Sequence, residues 1–277
     1  MNDSDKIDEL RKYETELWDI YAATEEKLLG FTKEYIPLSG FLLISMLRRL
    51  SRIQIAILDA CESVNYYSLN ILYRSFIEHY LKFLYTFMRL AEEKNDDVGK
   101  DYYVHGMLNE FQLMRRSVIK AETLTGENKV KQPQDKQIED KFKFNKIIRY
   151  INSKIPAKNC NELPLNLIPM YSRLSSFVHC GVIADIDDLF SDEPNMKKFT
   201  EILDVSFLMF SGAFLQTFDA FDGLHRHLKG EINTTFAEQR QKLSNIYYEI
   251  QSKLNTKNRD IGAVEKAPQL PFFDRPP

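Results

Sequence analysis

The sequence predicts an all-α protein, a single-domain bundle of about seven helices, on three observations. Apolar residues recur at three- and four-residue steps through most of the 277-residue chain, and no period-two alternation lasts long enough to argue for a sheet. Only ten glycines and ten prolines punctuate it, so long unbroken elements are expected. Nineteen Phe and fourteen Tyr supply packing area for the core that a chain of this length can bury. No internal repeat is evident.

The first helix is expected over residues 5–31, where Leu10, Tyr13, Leu17, Ile20, Leu28 and Phe31 share one side. After the connector "KEYIPLSG" a second apolar helix runs from 40 to 63, with Arg48 and Arg52 one turn apart. Asn65 is a suitable N-cap for a third helix over 66–92. The string "AEEKNDDVGK" reads as a solvated loop, followed by a helix over 101–123 with Tyr103, Met107, Phe111 and Met114 along one side. Residues 125–137 carry almost no apolar side chains and read as an exposed loop, and a shorter helix follows at 138–153.

"IPAKNCNELPLNLIP" contains three prolines and reads as an irregular connector. It leads to a short helix over 167–180, stopped at Gly181. Two long helices, 195–228 and 232–255, complete the bundle. The division expected is a helical domain over 1–256 and an extended, proline-rich tail over 257–277.

Charge and composition narrow the function. A net charge of −3 does not suggest a general nucleic-acid or membrane binder. Three cysteines without metal-like spacing argue for a reducing compartment. The opening "MNDSDKIDELRKYE" is acidic and unlike a secretory signal. The most apolar run, 205–218, falls short of the roughly 20 residues that span a bilayer. A cytoplasmic protein without membrane partners is expected. No Gly-rich phosphate loop, nucleophile elbow or Cys–His cluster occurs, so no cofactor or metal is expected. The acidic "DIDD" lacks calcium-loop spacing, and His225 and His227 lie about 200° apart on a helix, too far round to chelate one ion. Arg48, Arg49 and Arg52, with Arg115, Arg116 and Lys120, either face RNA or snorkel from the bundle exterior.

Two stretches could carry chemistry. In "RSFIEHY", Arg74 and Glu78 are four apart and share a helix face, while His79 is about 140° round from Arg74. In "YSRLSSFVHCG", Tyr171, Ser175 and His179 recur every four residues as a polar stripe. If the two helices face each other, Arg74, Glu78, Tyr171, Ser175 and His179 form one polar centre. Such a centre is either a buried structural network or a site.

These two stretches resemble the signature of a widespread bacterial helical family of unknown function, which carries Arg-x-x-x-Glu on one core helix and Tyr-x-x-x-Ser-x-x-x-His on a later one. The likeness would cover residues 40–225 and implies no activity. More distantly, the chain resembles the HEPN superfamily of helical ribonucleases, in which Arg and a polar residue precede His by a few positions. Both Arg74 to His79 and Arg173 to His179 satisfy that spacing. The resemblance implies a metal-independent endoribonuclease of a bacterial defence or toxin system, commonly a homodimer, with RNA as substrate. His179 would be the general base on a ribose 2′-hydroxyl, Arg74 the phosphate ligand, and Glu78, Tyr171 and Ser175 orienting groups. His79 is the competing histidine. The alternative is a non-enzymatic interaction module whose tail, through Phe272 and Phe273, docks into a partner protein.

Overall fold

A computed structural model describes residues 3–124, 141–154, 163–178 and 196–255. It is all-α, and the described residues contain no strand. The helices are α1 (Asp3–Ala22), α2 (Glu25–Tyr35), α3 (Pro37–Glu62), α4 (Tyr66–Glu93), α5 (Asp97–Lys100), α6 (Gly106–Leu124), α7 (Phe144–Lys154), α8 (Leu163–Val178), α9 (Met196–Lys229) and α10 (Thr234–Asn255). A π-helical turn, Asp101–His105, joins α5 to α6.

The centre of the bundle is α4, which packs on α3, α9, α8 and α7. Its buried rings Tyr73, Phe76, Phe83 and Phe87 belong to the same core as an aromatic row on α9: Phe207, Phe210, Phe214, Phe218 and Phe221. Steps of three and four place that row on one face, and edge-to-face contacts lock it, as between Phe210 and Phe214 at 5.2 Å. By length and composition Phe199–Lys229 could cross a bilayer, but 61% of its most apolar stretch is buried inside the bundle. That burial is what a core helix requires. Asp204 and Asp222 are also buried on α9, paired with Lys6 and Arg226.

Several sequence expectations change, among them the start of the helix expected over 138–153, which begins at Phe144. The helix expected over 5–31 is broken at Ala23 and Thr24. The buried Thr24 hydroxyl donates to Tyr21 O at 3.0 Å, closing the last turn of α1. The break lets α1 lie on α9 and α10 while α2 lies on α3. The connector before α3 shrinks to Ile36, because Pro37 occupies the first helical turn, where its missing N–H has no partner to lose.

The "solvated loop" at 91–100 is instead a docked turn with Val98 and Gly99 buried. Its polar residues serve the backbone of α3. Asp96 accepts from Leu38 N at 3.1 Å and Ser39 N at 2.6 Å, capping that helix from outside. Gly99 N donates to Ser39 Oγ at 2.9 Å. A side chain at Gly99 would stand 2.2 Å from Ser39 N, so the approach requires glycine.

The proline-rich connector is partly helix, since α8 begins at Leu163 and carries Pro169 inside it. Leu167, Leu174 and Phe177 are buried and hold α8 together despite the lost hydrogen bond. Asn65 caps α4 as expected, its Oδ1 accepting from Ser68 N at 2.9 Å. The loop at 125–137, Gly181 and the tail over 257–277 lie outside the described residues.

Candidate functional site

α4 and α8 cross, and their contact brings together four of the five expected residues. Arg74 Nε donates to Ser175 Oγ at 3.0 Å, and its Nη2 donates to Tyr171 OH at 2.9 Å. The guanidinium also lies 4.7 Å from the Tyr171 ring centroid, a cation–π distance. Tyr171 OH donates to Glu78 Oε2 at 3.4 Å, and Arg74 Nη1 is 3.7 Å from the same oxygen. Ser175 Oγ donates back to Tyr171 O at 2.9 Å, which fixes the hydroxyl that Arg74 uses.

Two members were missed in the sequence. Lys82 donates to Glu78 Oε1 at 2.8 Å. It continues the four-residue register from Arg74 through Glu78, and that spacing could have identified it. Phe144 on α7 stacks on Tyr171 with centroids 4.3 Å apart. Only the tertiary structure could supply that contact. The stack helps hold the phenol in place.

The centre is neither dry nor fully exposed: the Arg74 side chain retains 17% of its accessibility and that of Glu78 29%. Burial pushes the Glu78 carboxyl up, but the Lys82 hydrogen bond and the charges of Lys82, Arg74 and His79 bring it below the usual range. Burial and the neighbouring Glu78 charge raise the Tyr171 phenol, so it remains a donor at neutral pH.

His79 is partly buried beside this group. Its Nδ1 lies 2.7 Å from Ser75 O. A carbonyl oxygen accepts only, so Nδ1 carries hydrogen and Nε2 keeps its lone pair when the ring is neutral. Burial lowers the imidazole below the ordinary histidine range, aided by Lys82 and Arg49 and opposed by the Ser75 bond and Glu78. A neutral imidazole with a free Nε2 lone pair is a competent base.

His179, the fifth expected residue, lies outside the described residues. Arg173 is exposed on α8. Arg48 pairs with Glu25 across α3 and α2, which supports an ordinary surface role for it. Among the described residues no group of three His, Cys, Asp or Glu side chains could hold a metal ion. Comparison of the chain with protein-family models, curated proteins and solved structures finds no match.

Proposed function

We propose that the α4–α8 polar centre is the active site of a HEPN-like, metal-independent endoribonuclease, acting in the cytoplasm as an effector of a bacterial defence or toxin system. The observation that carries this reading is the charge balance. Arg74 and Lys82 face one carboxylate, and that carboxylate's short bond goes to Lys82. Arg74 shares Glu78 with Lys82 and holds it only at the longer 3.7 Å, so the two cations exceed the one carboxylate by a positive charge that a phosphate would balance.

In the proposed reaction a neutral histidine takes the proton of a ribose 2′-hydroxyl. The 2′-oxygen attacks the adjacent phosphorus as the bond to the 5′-oxygen breaks, and the leaving oxygen takes a proton from water, giving a 2′,3′-cyclic phosphate and a 5′-hydroxyl. Arg74 stabilises charge on the phosphorane, while Tyr171, Ser175 and Glu78 hold the guanidinium in position. His179 is the first candidate for the base. His79 is supported as the second by its tautomer and lowered pKa. Purified full-length chain incubated with mixed-sequence RNA in excess EDTA tests the reading. Cyclic-phosphate ends lost in either His179→Ala or His79→Ala identify the base, and intact RNA in every sample counts against the proposal.

One observation favours a second reading. Ser175 and Tyr171 already occupy Arg74 Nε and Nη2, as a structural clamp between α4 and α8 would. On this reading the chain is a non-enzymatic interaction module, with Phe272 and Phe273 of the tail contacting a partner protein. Arg74→Ala then changes stability alone.

A further inference from the structure

Helix α6 leaves the bundle with its apolar side uncovered. Met107, Phe111, Met114 and Val118 are 62%, 67%, 69% and 55% exposed. Leu108, beside them, is 46% exposed. Apart from the π-helical turn that it continues, α6 has no extensive contact with any other described element. Its root is nonetheless fixed. Asp101 accepts from Arg89 Nη1 at 2.7 Å and from Lys141 Nζ at 3.0 Å, and Tyr102 packs edge-on against Phe142. The helix is thus held out from the body by a built anchor.

The uncovered residues step by four, three and four, the spacing of a two-helix coiled-coil seam. With Phe111 and Val118 at a, Met107 and Met114 fall at d, Glu110 at g and Arg115 at e. We propose that α6 pairs with α6 of a second copy of this chain as a parallel, in-register dimer.

The charges select the orientation. In a parallel pair, position g of one helix faces the following e of its partner, which sets Glu110 opposite Arg115 twice over. Antiparallel registers that keep the seam in contact set Glu110 against Glu110, or Arg115 against Arg115, or Glu110 against Ser117. None of these gives a Glu110–Arg115 pair. Covering the five apolar side chains removes roughly 500 Å² per copy, about 1,000 Å² in all, at the threshold of a specific interface. A stripe of this kind is self-complementary about a two-fold axis and needs no other surface to meet. The inference is independent of the chemistry assigned to the polar centre.

Light scattering after size exclusion of the full chain at micromolar concentration tests it, with circular dichroism run in parallel. The wild type is expected at twice the mass of one chain. Phe111→Glu/Met114→Glu is expected at the mass of one and still cooperatively folded and helical, because neither side chain is buried, and it should melt below the wild type at micromolar concentration only by the stabilisation that association adds. Glu110→Arg should weaken association about tenfold, and adding Arg115→Glu should restore it. A monomeric wild type, or a double glutamate variant that still dimerises, overturns the proposal. A dimer that the charge swap fails to restore overturns the parallel arrangement.

Discussion

Gly99, His79 and Asp204 are each held in a close environment, and each gives a measurable consequence. At Gly99 an added methyl group meets the backbone of Leu38 and Ser39, which cannot move without detaching α5 from α3. Gly99→Ala is expected to cost about 3 kcal/mol in urea unfolding. At His79 the folded state resists protonation, whereas the unfolded chain titrates near 6.5, so below that pH the unfolded state binds more protons. Stability therefore falls as pH drops from 7.5 toward 5.5. Melting curves of His79→Asn should show a shallower fall over that window. Glu78, held below the ordinary range, contributes stability above its usual value and loses it only in stronger acid. The Lys6–Asp204 pair is almost entirely buried, so Asp204→Ala leaves an unpaired buried ammonium and should cost about 3–5 kcal/mol by urea titration. At this scale the sequence was informative where one helix spacing suffices: Arg74, Glu78, Tyr171 and Ser175 could be read as two matched stripes. Phe144 and Lys6 could not, because their partners are distant in the chain.

Helix boundaries follow from caps and punctuation more than from periodicity. Asn65 declares the start of α4, and the polar string around Asp96 looks like a loop because its hydrogen bonds go to another helix. The apolar content of 91–100 is small, yet Val98 is fully buried, so a single side chain and a glycine decide the docking. Asp96→Ala is expected to uncap α3 and cost about 1–2 kcal/mol. Pro169 misled in the opposite direction. It reads as a breaker, but it sits on the exposed side of a helix whose other side is packed. Pro169→Ala should regain a backbone hydrogen bond without losing packing, and thermal unfolding should show a gain of about 1–3 kcal/mol. The π-helical turn at 101–105 left no mark in the residue pattern. It carries Asp101, which Arg89 holds at the root of α6.

Across the described residues a hydrophobic core runs from Ile7 on α1 to Ile250 on α10, and α4 carries both that core and the polar centre. This joins two functions in one helix: its apolar face fixes it against α3 and α9, and its remaining face presents Arg74 and Glu78 to α8. The all-α class was legible because the three-to-four-residue periodicity persists across the chain. The meeting of α4 and α8 was legible only as a condition, since nothing local says which helices cross. The ribonuclease site proposed at this crossing is put to the test by Arg74→Ala in cells. Total RNA and growth are followed in cells holding matched soluble amounts of wild type and variant, with melting temperatures taken on both purified proteins. The claim predicts fragmented RNA and growth arrest with the wild type alone, activity in the variant reduced by about 100-fold or more, and a variant that stays folded. Intact RNA with both proteins, and a variant melting far below the wild type, would contradict it and leave Arg74 as a clamp between two helices.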